Sequence, residues 1–201
     1  MTEIRHSEKV FNMMRLLLIL ILTFSFQTLS KADDIKDFEI EGMSVGDSLL
    51  EFMEKSAMEF KFLYKNKLYK TTFFNNPKTY EDIQLTVKSN DDSYIIHNIT
   101  GKIYYKKDYY KCLQNKIEIT KDFQSLISSD TKKQSEDNIK RSADPTGNSY
   151  WSYDAFYFSD GSVAQVFCTD WSEELFRSKN YWDELKVGLY SAEFSNYLYN
   201  D

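Results

Sequence analysis

The 201-residue chain carries 25 Lys and Arg against 31 Asp and Glu, a net charge of −6 at pH 7. So acidic a chain has no general attraction for nucleic acid or anionic lipid, whose phosphates need a basic face, and nucleic acid is excluded as a partner. Only four of the basic residues are Arg (Arg5, Arg15, Arg141, Arg177), which counts against sites built on bidentate phosphate or carboxylate clamps.

The first element is an uncharged apolar run, LLLILILTFSF, over residues 16–26. As a helix at 1.5 Å per residue it covers roughly 16 Å, about half the hydrocarbon thickness of a bilayer. Arg15 precedes it, and LSKA after it places Ser30 and Ala32 at the small-residue positions a signal peptidase reads. Residues 1–32 are therefore expected to be a signal peptide cleaved after Ala32, leaving no stable membrane anchor. The preceding MTEIRHSEKVFN is long and partly acidic, so the natural start is expected at Met13 or Met14. No Cys lies near the cut, so lipid attachment is not expected, and the protein reads as exported, periplasmic or secreted.

Residues 33–201 then form one domain, large enough to bury roughly 70% of the surface its unfolded chain exposes. The leader holds Arg5, Lys9, Arg15 and Lys31 against Glu3 and Glu8, so the remainder has a net charge of −8.

The domain opens with DIKDFEIEGMSVGDSLLEFMEKSAM. Phe38, Ile40 and Met43 alternate with charges as in a short edge strand. Ser44 or Asp47 then caps a helix in which Val45, Leu49, Phe52 and Met53 share a face. TTFFN is a strand, and YEDIQLTVKSNDDSYIIHNITGKIYY reads as a hairpin with Ile83, Leu85 and Val87 on one face, SNDD as its turn and Gly101 at a bulge or the end of pairing. From Lys107 to about Ser128 the period becomes helical, with Tyr109, Cys112, Leu113, Ile117, Phe123, Leu126 and Ile127 in a broad stripe. The polar, aperiodic segment at about 129–148, with Pro145 and Gly147, reads as a long exposed loop.

A second hairpin follows: YWSYDAFYF, the turn SDG, then SVAQVFCTDW, with Ala164, Val166 and Cys168 facing inward. SEELFRSKNYWD is a linking excursion, ELKVGLYS a last strand with Leu185, Val187 and Leu189 inward, and SAEFSNYLYN a capped terminal helix. The order implies an α+β domain: an antiparallel sheet of about six strands with two or three helices packed on one face.

DFEIEGMSVGDSLLEFM, FCTDWSEE and SAEFSNYL together resemble an uncharacterised family of small secreted proteins from low-G+C marine bacteria. The resemblance implies export and a shared fold over most of the domain, and no activity. GMSVGDSLLEF alone is similar to the opening of envelope proteins of the outer-membrane assembly lipoprotein and beta-lactamase-inhibitor type, an analogy of fold only.

The two cysteines, Cys112 and Cys168, lie in the exported part, and an even count in an oxidising compartment reads as a disulfide. Cys112 sits on the helical stripe and Cys168 on the inward face of the second hairpin, so a helix packed on the sheet brings them together. His97 is the one histidine of the domain and sits in a strand, with no G-x-S-x-G elbow to serve, so no catalytic residue is assigned. One histidine and two distant cysteines lack zinc-ligand spacing, and neither metal nor cofactor is expected. A glycosidase-like carboxylate pair would have to come from distant positions such as Asp154 and Asp170.

Aromatic residues are the denser signal. Trp151, Tyr153 and Tyr157 share one face of the second hairpin and Phe156 and Phe158 the other, with Trp171 and Trp182 close by. Rings left outside the core could stack a sugar, a peptide or a partner surface. The sequence thus reads as a binding module for a partner protein or small ligand, with Trp151, Tyr153, Tyr157, Trp171 and Trp182 as candidate binding residues. The alternative is a small carboxylate-dependent hydrolase acting on envelope or sugar substrates.

Overall fold

The computed structural model describes residues 31–62, 64, 66–75 and 77–200. The apolar leader and all but the last two residues of the expected signal peptide lie outside the described residues.

The described residues form one seven-stranded antiparallel sheet: β1 (Tyr69–Phe74), β2 (Asp82–Lys88), β3 (Ile96–Tyr104), β4 (Lys132–Lys140), β5 (Tyr150–Tyr157), β6 (Val163–Asp170) and β7 (Glu184–Tyr190), in spatial order β1-β2-β3-β7-β6-β5-β4. The helices are α1 (Tyr109–Leu126), between β3 and β4, α2 (Glu173–Lys179), between β6 and β7, and α3 (Ala192–Asn200). The α+β expectation holds, with seven strands where six were counted. β1-β2-β3 and β4-β5-β6-β7 are two meanders joined where β3 pairs with β7. α1 carries the chain from β3 to the far edge at β4.

Cross-strand partners share a face. On one face, Cys168 lies opposite Leu185, Val166 opposite Val187 and Ala164 opposite Leu189, which in turn faces Ile99 and Leu85. This is the main core, completed by Ile83, Val87, Ile96 and Phe156 and covered by α1. The inward residues expected for β2, β6 and β7 all lie there. α3, expected on the same face as the other helices, packs on the opposite one, where its buried Phe194 meets Tyr69 at 4.8 Å and stacks on Tyr190 at 6.2 Å.

Four local expectations are corrected. The segment from Phe38 to Met53 forms neither edge strand nor α-helix: Ile40 and Met43 make an isolated bridge, and only a 3-10 turn, Leu49–Glu51, is helical. Gly42 and Gly46 take positive φ, and the Gly46 and Leu49 N–H groups donate to the carbonyls of Ile96 and Tyr94. The segment is an arm laid on the main core, burying Ile35, Phe38, Ile40, Met43, Val45 and Leu49. Second, within the segment expected as a loop at 129–148, residues 132–140 pair with β5 as the edge strand β4. They are exposed apart from half-buried Ile139, since an edge strand needs only backbone pairing on one side. Third, Gly101 stays in register with Ile83 and Val187; the bulge is at Thr86/Val87. A Cβ on Gly101 would lie 2.5 Å from the Tyr80 ring, so glycine is there to let that ring close over the strand. Fourth, the buried line of α1 is Cys112, Lys116, Thr120 and Phe123, while Ile117 is exposed.

The polar pair on that line has a purpose. Asp154 of β5 lies beneath α1 and accepts from Lys116 Nζ, Thr120 Oγ1 at 3.0 Å, Lys133 Nζ at 3.1 Å and Ser135 Oγ. Burial alone would raise its carboxyl; hydrogen bonds from Lys116 and Ser135 and the Lys116 charge outweigh that and hold it at about 2. The second link of α1 to the sheet is covalent: Cys112 and Cys168, both fully buried, form a disulfide with Cα atoms 5.9 Å apart.

Candidate functional site

The face opposite α1 is built in rows. Trp151, Thr169, Glu184 and Tyr104 lie abreast across β5, β6, β7 and β3, and Tyr153, Phe167, Lys186 and Lys102 form the next row. Two rows further on, α3 covers Tyr190. The end of this face beyond α3 holds Trp151, half-buried, with Tyr153 and Phe167, both buried; ring centroids are 5.2 Å (Trp151–Tyr153) and 5.9 Å (Trp151–Phe167) apart.

Arg141, just past the end of β4, completes this cluster. Its backbone N–H donates to the Ser149 carbonyl, and its guanidinium carbon sits 5.3 Å from the Trp151 ring and 5.1 Å from the Trp171 ring. Both distances fall within cation–π range. Burial draws the guanidinium pKa below its ordinary value, and attraction to Glu184 opposes this. Its buried Nε has no hydrogen-bond partner, and the same holds for the buried Thr169 Oγ1. These two orphaned atoms, the ones found among the described residues, both border Trp151.

Trp171 is placed by its own network. Its backbone N–H donates to Asp183 Oδ1 at 3.0 Å, and its backbone carbonyl accepts from Lys107 Nζ, which also lies 3.4 Å from Asp170 Oδ1 and from Asp183 Oδ1. Burial pushes the Asp183 carboxyl up to about 6, against the Trp171 N–H and the Lys107 charge. Beside Trp171 opens a shallow cleft of about 550 Å³, lined by Lys107, Asn148, Asp170, Ser172, Glu173 and Glu174. Exposed Tyr181 packs edge-on against Trp171 at 4.9 Å.

Of the five candidate residues, the structure joins Trp151 and Tyr153 directly and Trp171 through Arg141. Tyr153 and Trp171 are each only 8% exposed, so their rings serve as packing as well as surface. The Tyr153 hydroxyl donates to Glu136 and accepts from Gln134, both at 2.8 Å. Trp182 stands apart, edge-on to Tyr104 at 6.2 Å with its indole N–H donating to Asn180. Tyr157 lies six residues from Trp151 along β5, roughly 20 Å away. Sequence reasoning missed Arg141 and Phe167; that the domain contains only two Arg residues was the one available signal for the former.

The postulated carboxylate pair is not assembled. Asp154 lies opposite Val166 and Asp170 lies four residues further along β6, roughly 13 Å away, beyond the spacing of a glycosidase pair. His97 Nδ1 is 3.0 Å from Ser191 Oγ, the hydroxyl that accepts the Phe194 N–H at the start of α3, so the ring is held in a helix cap. No group of three or more His, Cys, Asp and Glu side chains among the described residues is arranged to hold a metal. No protein-family model, curated protein or solved structure matches the chain.

Proposed function

We propose that this domain is an exported binding module whose working surface is the Trp151–Arg141–Trp171 cluster at the end of the sheet beyond α3. The observation that carries the reading is Arg141: a half-buried guanidinium within cation–π range of two indoles, whose buried Nε has no hydrogen-bond partner among the described residues. Export, to the periplasm or the outside, is supported by the Cys112–Cys168 disulfide, which fits an oxidising compartment, and by the 16–26 apolar run followed by LSKA. Among the described residues no helix is long and apolar enough to cross a membrane. The hydrolase alternative has less support, because the carboxylates named for it sit in separate lysine-bound networks.

Photo-crosslinking in the exporting cell tests this reading. A benzoylphenylalanine at Tyr181, exposed beside Trp171, should give a discrete adduct that Trp151→Ala removes while the domain stays folded by circular dichroism. The same probe at Tyr110, 72% exposed on α1, should give none. An adduct at Tyr110 alone, or one at Tyr181 indifferent to Trp151→Ala, refutes it.

A further inference from the structure

The lysines of the two rows beside Arg141 each have a counterion. Lys186 pairs with Glu184, and Lys102 pairs with Asp82 at 3.3 Å. Glu184 influences Arg141 only from beyond ion-pair range. Arg141, by contrast, makes no ion pair among the described residues, in a domain whose overall charge is strongly negative.

The guanidinium also has a defined geometry. Its five N–H donors form a planar fork; two indoles lie within cation–π range and Nε is buried, so the paired Nη groups are the edge of the fork left for a ligand. A planar carboxylate matches such a fork through two parallel N–H···O bonds. A phosphate dianion is a poorer fit, because Asp170, Glu173 and Glu174 line the cleft beside Trp171 and repel a second negative charge. The indoles and Phe167 offer apolar contact to whatever carries the carboxylate.

Resting on the binding role proposed above, we infer that Arg141 is the receptor for a carboxylate on an aromatic or apolar ligand, which Trp151 and Trp171 flank. The carboxylate could belong to a small aromatic acid or to the C-terminus of a peptide; the chemistry at Arg141 is the same.

The chain has three tryptophans, so an isotope-labelled protein gives only three indole N–H signals, two from the Arg141 cluster and one from Trp182, which stands apart as an internal control. Four probes are titrated: N-acetylphenylalanine, its primary amide, 3-phenylpropionate and inorganic phosphate. The acids should shift the Trp151 and Trp171 signals saturably, with Kd values in the millimolar range. The neutral amide should bind at least tenfold more weakly, and phosphate should leave both signals in place. Tighter binding of N-acetylphenylalanine than of 3-phenylpropionate assigns a peptide terminus, and equal binding a small acid. Arg141→Gln should weaken the acids at least tenfold, and Arg141→Lys, which keeps the charge and loses the fork, should fall between. The acid–amide comparison uses the unaltered protein, so it stands even if Arg141→Gln unfolds. Equal binding of acid and amide, or of phosphate and acid, or no saturable shift with the acids, overturns the inference. If the Tyr181 crosslink nonetheless depends on Trp151, the binding role survives and only the carboxylate assignment falls.

Discussion

Replacing both cysteines, as in Cys112→Ala/Cys168→Ala, removes the covalent tie between α1 and β6. The bridge closes a loop of 56 positions that contains β4, β5 and their polar connections. On the chain-entropy model, opening a loop of that size frees the unfolded chain by about 4 kcal/mol, a large share of the roughly 5–15 kcal/mol a domain possesses. For a domain of this length each kcal/mol shifts the melting temperature by about 2–4 °C, so the variant should melt about 8–16 °C lower. The denaturant slope of unfolding should also rise, because the uncrosslinked chain expands further and exposes more surface. Both sulfurs are fully buried, so reductant should act on the folded protein only as fast as α1 lifts from the sheet. Circular dichroism against temperature and urea, with thiol titration of the denatured, unreduced protein, reads all of this. A melting temperature within about 2 °C of the parent, or two titratable thiols, refutes the reasoning.

Asp154→Ala leaves Lys116 buried with only the exposed Asp137, 3.9 Å away, as a counter-charge, and should cost about 3–5 kcal/mol in urea unfolding. Lys116→Met/Asp154→Leu removes both charges and should lose less than the single change; an equal loss would mean the pair acts through packing alone. Gly101→Ala drives a methyl into the Tyr80 ring and should destabilise by about 1–3 kcal/mol, with a shift in the Tyr80 ring resonances; no change in either would show the ring relocates freely. Asp183, whose carboxyl is raised from 3.8 to about 6 in the folded state, binds its proton more tightly folded than unfolded. Its contribution to stability is therefore present at low pH and lost as pH rises from about 4 to 6. In Asp183→Asn that decline should vanish from the pH profile of the urea midpoint, and an unchanged profile would assign it to another group.

Local pattern was enough wherever one face of an element meets a common core. The alternation of Ala164, Val166 and Cys168, and of Leu185, Val187 and Leu189, has the period of a strand, and burying one face leaves a single choice of which residues turn inward. With the helical stripe through Cys112 it also made the disulfide legible, since both cysteines were already on faces that must meet. Pattern failed where partners distant in the chain decide. Val45 and Leu49 have helical spacing and are buried, yet their backbone runs as an arm because its donors reach carbonyls at Tyr94 and Ile96. Residues 132–140 show no apolar period because an edge strand is fixed by hydrogen bonds to β5, which leave no trace in side-chain type. Lys116 and Thr120 lie on the buried side of α1 only because Asp154 is beneath them. Arg141 looked like one polar residue in a polar run. Only the closure of the β4–β5 hairpin and of the turn after β6 sets it beside both Trp151 and Trp171, since cation–π contact and charge pairing depend on distances that the sheet register, and not the neighbouring residues, determines.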